Sequence, residues 1–320
     1  MKSALAALGC LCCVAGTHAA PREVPARTVR VIVPAAPGGA LDALAGLLAR
    51  RVPDIRGQQL IIDHRPGPAG IAGSEIVARA TPDGNTVLLV DASYAANPAL
   101  YGRLSYRTPE DFSPIMVLAT EPDVLVVHPS LPVMTVRELI ERAGSRQRLT
   151  FASSGIGTHG HLVMELFRRT ADVTIIHVPF KEADAAEASL VAGKVSMMSA
   201  ALGTAIPHMK AGSLRGIAVT GAKRAAAAPE IPTVSESGVD SFVANNWYAA
   251  LAPARSSPRN IDALQKDFAR ALTGPHAAAM LAGAGFESAN VKPRDTAKFL
   301  RAEISRWSEL ISEAGIKGEE

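Results

Sequence analysis

From Thr28 onward, short apolar runs alternate with longer amphipathic stretches. Thr28–Ala35 (TVRVIVPA) reads as a strand rich in β-branched residues. Leu41–Val52 then spaces its apolar residues at helical intervals. Gln59–Asp63, Ile71–Ala80 and Thr86–Val90 continue as strand, helix and strand. This βαβαβ rhythm predicts a parallel sheet covered by helices. It restarts with Leu149–Ser153 as strand and Thr158–Arg169 as helix. Thr174–Phe180, Ala183–Ala192, Val195–Ser199, Ala205–Ala211 and Leu214–Thr220 follow as strand, helix, strand, helix and strand. Asn260–Leu272, Pro275–Ala284 and Arg294–Ala314 read as helices. Two α/β halves in one chain predict two lobes with a cleft between them. The extended, apolar segments Ile115–His128 and Trp247–Ala252 are expected to cross between the halves as a hinge.

Composition fits that picture. The chain has 320 residues, 48% apolar and 20% charged, which suits a soluble protein of two domains. Its formal charge of +3 is dispersed, and only 4% of residues are aromatic, which argues against a nucleic-acid partner. Residues 1–20 read as a secretory signal: Lys2, an apolar stretch from Ala4 to Ala15, and Thr17-His18-Ala19 before cleavage near Ala19 or Ala20. That stretch is too short to span a bilayer. Cys10, Cys12 and Cys13 all lie within it, so the exported chain would hold no disulfide, thiol nucleophile or thiolate metal site. Leu8-Gly9-Cys10 is only a vague lipidation signal, with too short an apolar stretch before it.

Each half contains a strand that runs into a glycine-rich turn and then a helix. The first turn is Pro34-Ala35-Ala36-Pro37-Gly38-Gly39-Ala40-Leu41-Asp42, and the second is Ser153-Ser154-Gly155-Ile156-Gly157-Thr158-His159. Such turns present backbone N–H groups at a helix start, where the helix dipole favours an anion. One such turn alone reads more readily as a plain connector, but one in each half suits a ligand held between lobes. Asp42 is expected to brace its loop rather than touch ligand, because an anion there would repel another. Arg65–Gly73 either lines the cleft or simply turns the chain. There is no G-x-S-x-G elbow and no phosphate-binding G-x-x-x-x-G-K-[ST] loop. His159, His161 and Glu165 do not share one helix face, so they are read as surface or capping groups rather than a metal site.

Read in order, the segments VIVPAAPGGALD (31–42), HRPGPAGIAG (64–73), NPALY (97–101), FASSGIGTHGH (151–161), HVPFK (177–181), PHMKAGSLR (207–215) and WYAALAP (247–253) resemble the substrate-binding proteins of the tripartite tricarboxylate transporter family, the Bug receptors. The resemblance runs from about Pro25 to Ile316. It implies an α/β, two-lobed periplasmic-binding-protein fold of the Venus-flytrap kind (type II). The expected lobes are 24–121 with 250–320, and 122–249. It implies a non-enzymatic periplasmic receptor that captures a carboxylate-bearing metabolite without cofactor or metal. Its partners would be that small acid and the membrane subunits of a tripartite transporter; a monomer is expected. A sensory receptor presenting the ligand to a membrane signalling protein is the alternative.

Carried over by position, the ligand-lining residues are Ala36, Gly38, Gly39, Ala40, Ser93 and Tyr94 in the first lobe. In the second they are Ser154, Gly155, Gly157, Thr158, Phe180, Lys181 and Ser199. The chain departs from the family pattern at Ile156, at Glu182 and at Ser199, where an aspartate is frequent. Ser199 argues against an amino-acid ligand, and Glu182 against a highly charged one such as citrate.

Overall fold

The computed structural model describes residues 28–318 apart from 146, 147, 290 and 292. The expected export signal lies outside the described residues. The strands are β1 Thr28–Val33, β2 Gln59–His64, β3 Thr86–Val90, β4 Phe112–Glu121, β5 Asp123–Val127, β6 Thr150–Ser153, β7 Ile176–Pro179, β8 Met197–Ala201, β9 Arg215–Val219, β10 Asn246–Pro253 and β11 Glu287–Ser288. The helices are α1 Ala40–Arg56, α2 Ile71–Ala78, α3 Ser93–Leu100, α4 Val136–Ala143, α5 His159–Thr170, α6 Ala183–Val191, α7 Leu202–Lys210, α8 Pro258–Ala271, α9 Pro275–Gly283 and α10 Thr296–Ala314. None of these helices is long and apolar enough to cross a membrane.

The strands form two sheets, ordered β11-β4-β10-β3-β1-β2 and β7-β6-β8-β5-β9. In the first, β1 runs parallel to β2 and β3, and β10 is inserted antiparallel between β3 and β4. In the second, β6 runs parallel to β7 and β8, and β5 is antiparallel to β8 and β9. Leaving β11 aside, the sheets share one plan, and the antiparallel strand of each directly follows a crossing from the other. Strands such as β1 are apolar on both faces because helices cover both sides. Helix ends follow local chemistry. Ser257 caps α8 through Asn260 N–H ahead of Pro258 at the first helical position. Gly57 closes α1 in the left-handed conformation.

The chain crosses between sheets at Glu121-Pro122-Asp123 and again at Asn245-Asn246. Strand β10 lies wholly in the first sheet, so the second crossing falls three or four residues before the expected 249/250 boundary. Helix α10 ties the two sheets together. It packs on α3 and also on α5, with Trp307 fully buried and Arg169 of α5 2.6 Å from Glu313. Glu303 accepts the indole N–H of Trp247 at 2.8 Å and of Trp307 at 3.1 Å. A buried tryptophan stabilises by roughly 4–6 kcal/mol through apolar burial alone. Residues of both sheets, among them Leu88, Trp247, Phe151 and Met197, share one apolar cluster.

Candidate ligand-binding cleft

A cleft of about 970 Å³ opens between the sheets at the carboxyl ends of β1, β3 and β6. That volume and position are typical of a small-molecule site in an α/β fold. Nine of the thirteen expected residues line it: Ala36, Ser93, Tyr94, Ser154, Gly155, Gly157, Thr158, Phe180 and Lys181. The other four do not. Gly38, Gly39 and Ala40 are not among the lining residues, and the Gly38 N–H is already taken by Asp42 Oδ2 at 2.9 Å. Ser199 is buried in β8 and donates to Asp123 Oδ2 at 2.7 Å. An acid therefore does stand at that depth, but on the neighbouring strand.

The first turn is braced as its sequence suggests. Asp42 accepts the Gly38 N–H and lies 2.8 Å from His64 Nε2. The Gly38 hydrogen bond, then that of His64, holds its carboxyl below the ordinary range. Asp42 thus fills with its own charge the place where the dipole of α1 would attract an anion.

The second turn is braced by rings. His161 Nδ1 accepts the Gly157 N–H at 2.9 Å. His161 stacks on His177 with centroids 3.9 Å apart, and His177 stacks on Phe151 at 4.7 Å. The Ser153 hydroxyl donates to the Gly155 carbonyl at 3.0 Å, while its oxygen lies 2.7 Å from His177 Nε2 and accepts the Gly155 N–H at 3.2 Å. Thr158 Oγ1 donates to the same carbonyl at 2.8 Å, closing the turn. Burial, with the neighbouring His161, pushes the His177 imidazole down to about 4, so it is neutral at pH 7. Ser153 and His177 are no nucleophile–base pair. Ser153 is buried, its proton is directed into the turn, and His177 supplies Nε2–H to the oxygen. His161 also faces Glu165, at 3.6 Å, and Glu165 is held by Arg168 at 2.8 Å through both oxygens. The described residues contain no group of three or more potential metal ligands.

Several lining residues lie outside the thirteen expected ones. The stretch Pro66–Gly70 lines the cleft, bent inward by the positive φ of Ala69 and Gly70. Asp91, one residue beyond β3, lines it too, and its Oδ1 accepts the Ser93 N–H at 2.9 Å. Its position at a parallel strand's carboxyl end was the one available clue. Behind it lie the hinge carboxyls Glu121 and Asp123, both buried and both pushed up by burial, Glu121 to about 7. Tyr248 donates its hydroxyl to Glu121. His159 sits among them with Nε2 3.7 Å from Asp123 Oδ2.

The two like sheets, the double crossing and the cleft between corresponding turns define a two-lobed solute-binding protein. A family model described as the tripartite tricarboxylate transporter family receptor matches residues 44–316, and the chain belongs to that family. It is 32% identical over 323 residues to Protein BugT of Bordetella pertussis, covering 99% of each chain. Among solved structures it is similar to R. palustris Rpa4515 with adipate, with TM-score 0.81, 33% identity, and coverage of 93% of this chain and 100% of that one. It is also similar to MatC from Rhodopseudomonas palustris with bound malate, with TM-score 0.76, 28% identity, and coverage of 90% and 99%.

Proposed function

We propose that the protein is a monomeric periplasmic receptor that captures a small carboxylate-bearing metabolite between its lobes and delivers it to the membrane subunits of a tripartite transporter. It binds and does no chemistry. The observation that carries this reading is the cleft itself. It lies between corresponding turns of two like sheets, in a family whose solved members include adipate- and malate-bound proteins. The second turn offers an anion the N-terminus of α5, with Ser154, Thr158 and Lys181 on the same wall. A helix terminus supplies about 0.3–2 kcal/mol, whereas a micromolar complex needs about 8 kcal/mol. Hydrogen bonds from both walls and closure of the lobes supply the rest.

The test is a thermal-shift screen of linear and branched acids of three to eight carbons, each beside its uncharged amide. An acid present at 100 times its Kd adds about 2.7 kcal/mol of stability. The reading expects at least one acid to raise the melting temperature and its amide to leave it unmoved. A flat response to every acid, with turnover of an ester or amide, contradicts it.

A further inference from the structure

Asp91 lies on the first-lobe wall of the cleft, and its surroundings set the charge of that wall. Three cleft-lining residues are acidic or basic: Asp91, Lys181 and Glu182. Lys181 and Glu182 are adjacent, exposed and opposite in sign, so solvent screens them and their charges largely cancel. Asp91 is half-buried at the end of β3, where a charge is screened far less. It is also fixed in place. Besides the Ser93 bond, Tyr94 N–H donates to its carbonyl at 3.1 Å, and Ala92 N–H donates to Asn246 Oδ1 at 3.3 Å.

The groups that face Asp91 leave its wall short of positive charge. Glu121 and Asp123, from the hinge, are carboxyls. The basic side chain that acts on Asp91 is the His159 imidazole, from α5, which Asp123 shares. His159 is 8% exposed, and neither ring nitrogen has a hydrogen-bond partner, so the one imidazole among these carboxyls is unsatisfied. Burial pushes the Asp91 carboxyl up, as it does those of Glu121 and Asp123. A second ligand carboxylate placed here would join a group of carboxyls with no cation to answer it, whereas a cationic nitrogen would meet a fixed acceptor and hold it in its charged form.

We propose that Asp91 is the specificity-determining residue of the cleft. It selects a ligand with a carboxylate at one end and a cationic nitrogen at the other over a dicarboxylate of equal length. The carboxylate end meets the second-lobe turn and Lys181, and the nitrogen meets Asp91. This rests on the carboxylate-receptor reading and gives it a polarity. It also removes the sequence argument from Ser199 against an amino-acid ligand, because Ser199 is not in the cleft.

The experiment is isothermal titration of matched pairs, from succinate and 4-aminobutanoate through suberate and 8-aminooctanoate, into the wild type and Asp91→Asn. Asn keeps an acceptor for the Ser93 N–H and removes the charge. In the wild type the best-fitting amino acid binds at least about tenfold tighter than its matched dicarboxylate, the size of one charge-assisted hydrogen bond. In Asp91→Asn that ratio falls by at least about tenfold. Equal or tighter binding of the dicarboxylate by the wild type overturns the proposal about Asp91 and leaves the carboxylate receptor standing. That wild-type comparison holds even if the variant folds poorly. An unchanged ratio in a folded Asp91→Asn overturns it as well. No binding by any member of either series overturns the proposal about Asp91, while the thermal-shift screen of linear and branched acids decides the carboxylate receptor separately.

Discussion

The glycine-rich turns after β1 and β6 occupy corresponding places in like sheets, yet opposite chemistry holds them. Asp42 closes the first with a full negative charge, over a stretch that is exposed from Ala36 to Gly39. The second is held by the stacked rings of His161 and His177 and by a hydroxyl, and Gly157 lies buried against Leu100 of the first lobe. A turn that already carries a carboxylate has its helix dipole answered, whereas one braced by rings and a hydroxyl leaves the dipole for a ligand. The contrast supports placing the anion of the proposed ligand in the second lobe, and the proposed role of Asp91 on the first-lobe wall agrees with it.

The sharpest way to break this contrast is to put the same side chain in both turns. Gly157 has φ +79°, and a Cβ there would lie 2.4 Å from Leu100 Cδ1. Gly39 has φ −84° and nothing within 4 Å of an added Cβ. Gly157→Val is expected to cost about 1–3 kcal/mol in denaturant unfolding and to abolish ligand binding in titration. Gly39→Val is expected to stay within about 0.5 kcal/mol of the wild type and to bind normally. Equal losses in the two variants would show that the turns do the same work.

A smaller effect separates the braces by pH. His177 sits near 4 in the folded protein, below its unfolded value of 6.5. Its folded pKa is depressed, so the unfolded chain binds the proton first as pH falls. Stability is therefore lost from about pH 6.5 down to about pH 4, by roughly 1–2 kcal/mol after allowance for partial exposure. Glu121, raised to about 7, has the opposite sign: its contribution is lost as pH rises from 4.5 to 7. His177→Phe keeps a ring on Phe151 and removes the first titration alone. Urea melts between pH 7 and pH 4 should show a shallower decline for the variant, and an identical decline would contradict the neutral-ring brace.

The smallest expected effect belongs to the first turn. Asp42→Ala should lower stability at pH 7 by about 0.5–1.5 kcal/mol, the worth of its hydrogen bonds. The Asp42 carboxyl is held below its ordinary range, so the difference from wild type should vanish as pH falls through that lowered value. Carboxylate affinity should change by less than about tenfold, since the charge removed opposes an anion and its bonds to the turn support one. A larger loss of affinity would move the anion site to the first lobe.

Much of this architecture was legible because alternation of apolar strands with amphipathic helices survives in one dimension. Strands β1, β2, β3 and β6–β9 stand within a few residues of where the pattern put them. Helix α3 escaped notice because Pro98 sits inside it and breaks the usual helical signal. The turn residues of the second lobe were readable, since glycine, serine and threonine beside a strand end carry their own chemistry. The ring stack beneath them was not, because Phe151, His161 and His177 meet only when β6, α5 and β7 pack. Asp91 was missed for a similar reason. An aspartate after a strand reads as a turn former, and only the pairing of two lobes shows that it faces a cleft. Ser199 misled in reverse: its alternation phase is that of β8, and Asp123 of β5 carries the charge beside it.

Hydrogen exchange of the backbone amides, with and without the best acid from the thermal-shift screen, tests most directly that one ligand is held between the lobes. Protection is predicted in 153–161 and in 66–70 and 91–94 together, from both walls at once. Protection confined to one lobe, or to neither, would contradict a ligand clamped between them.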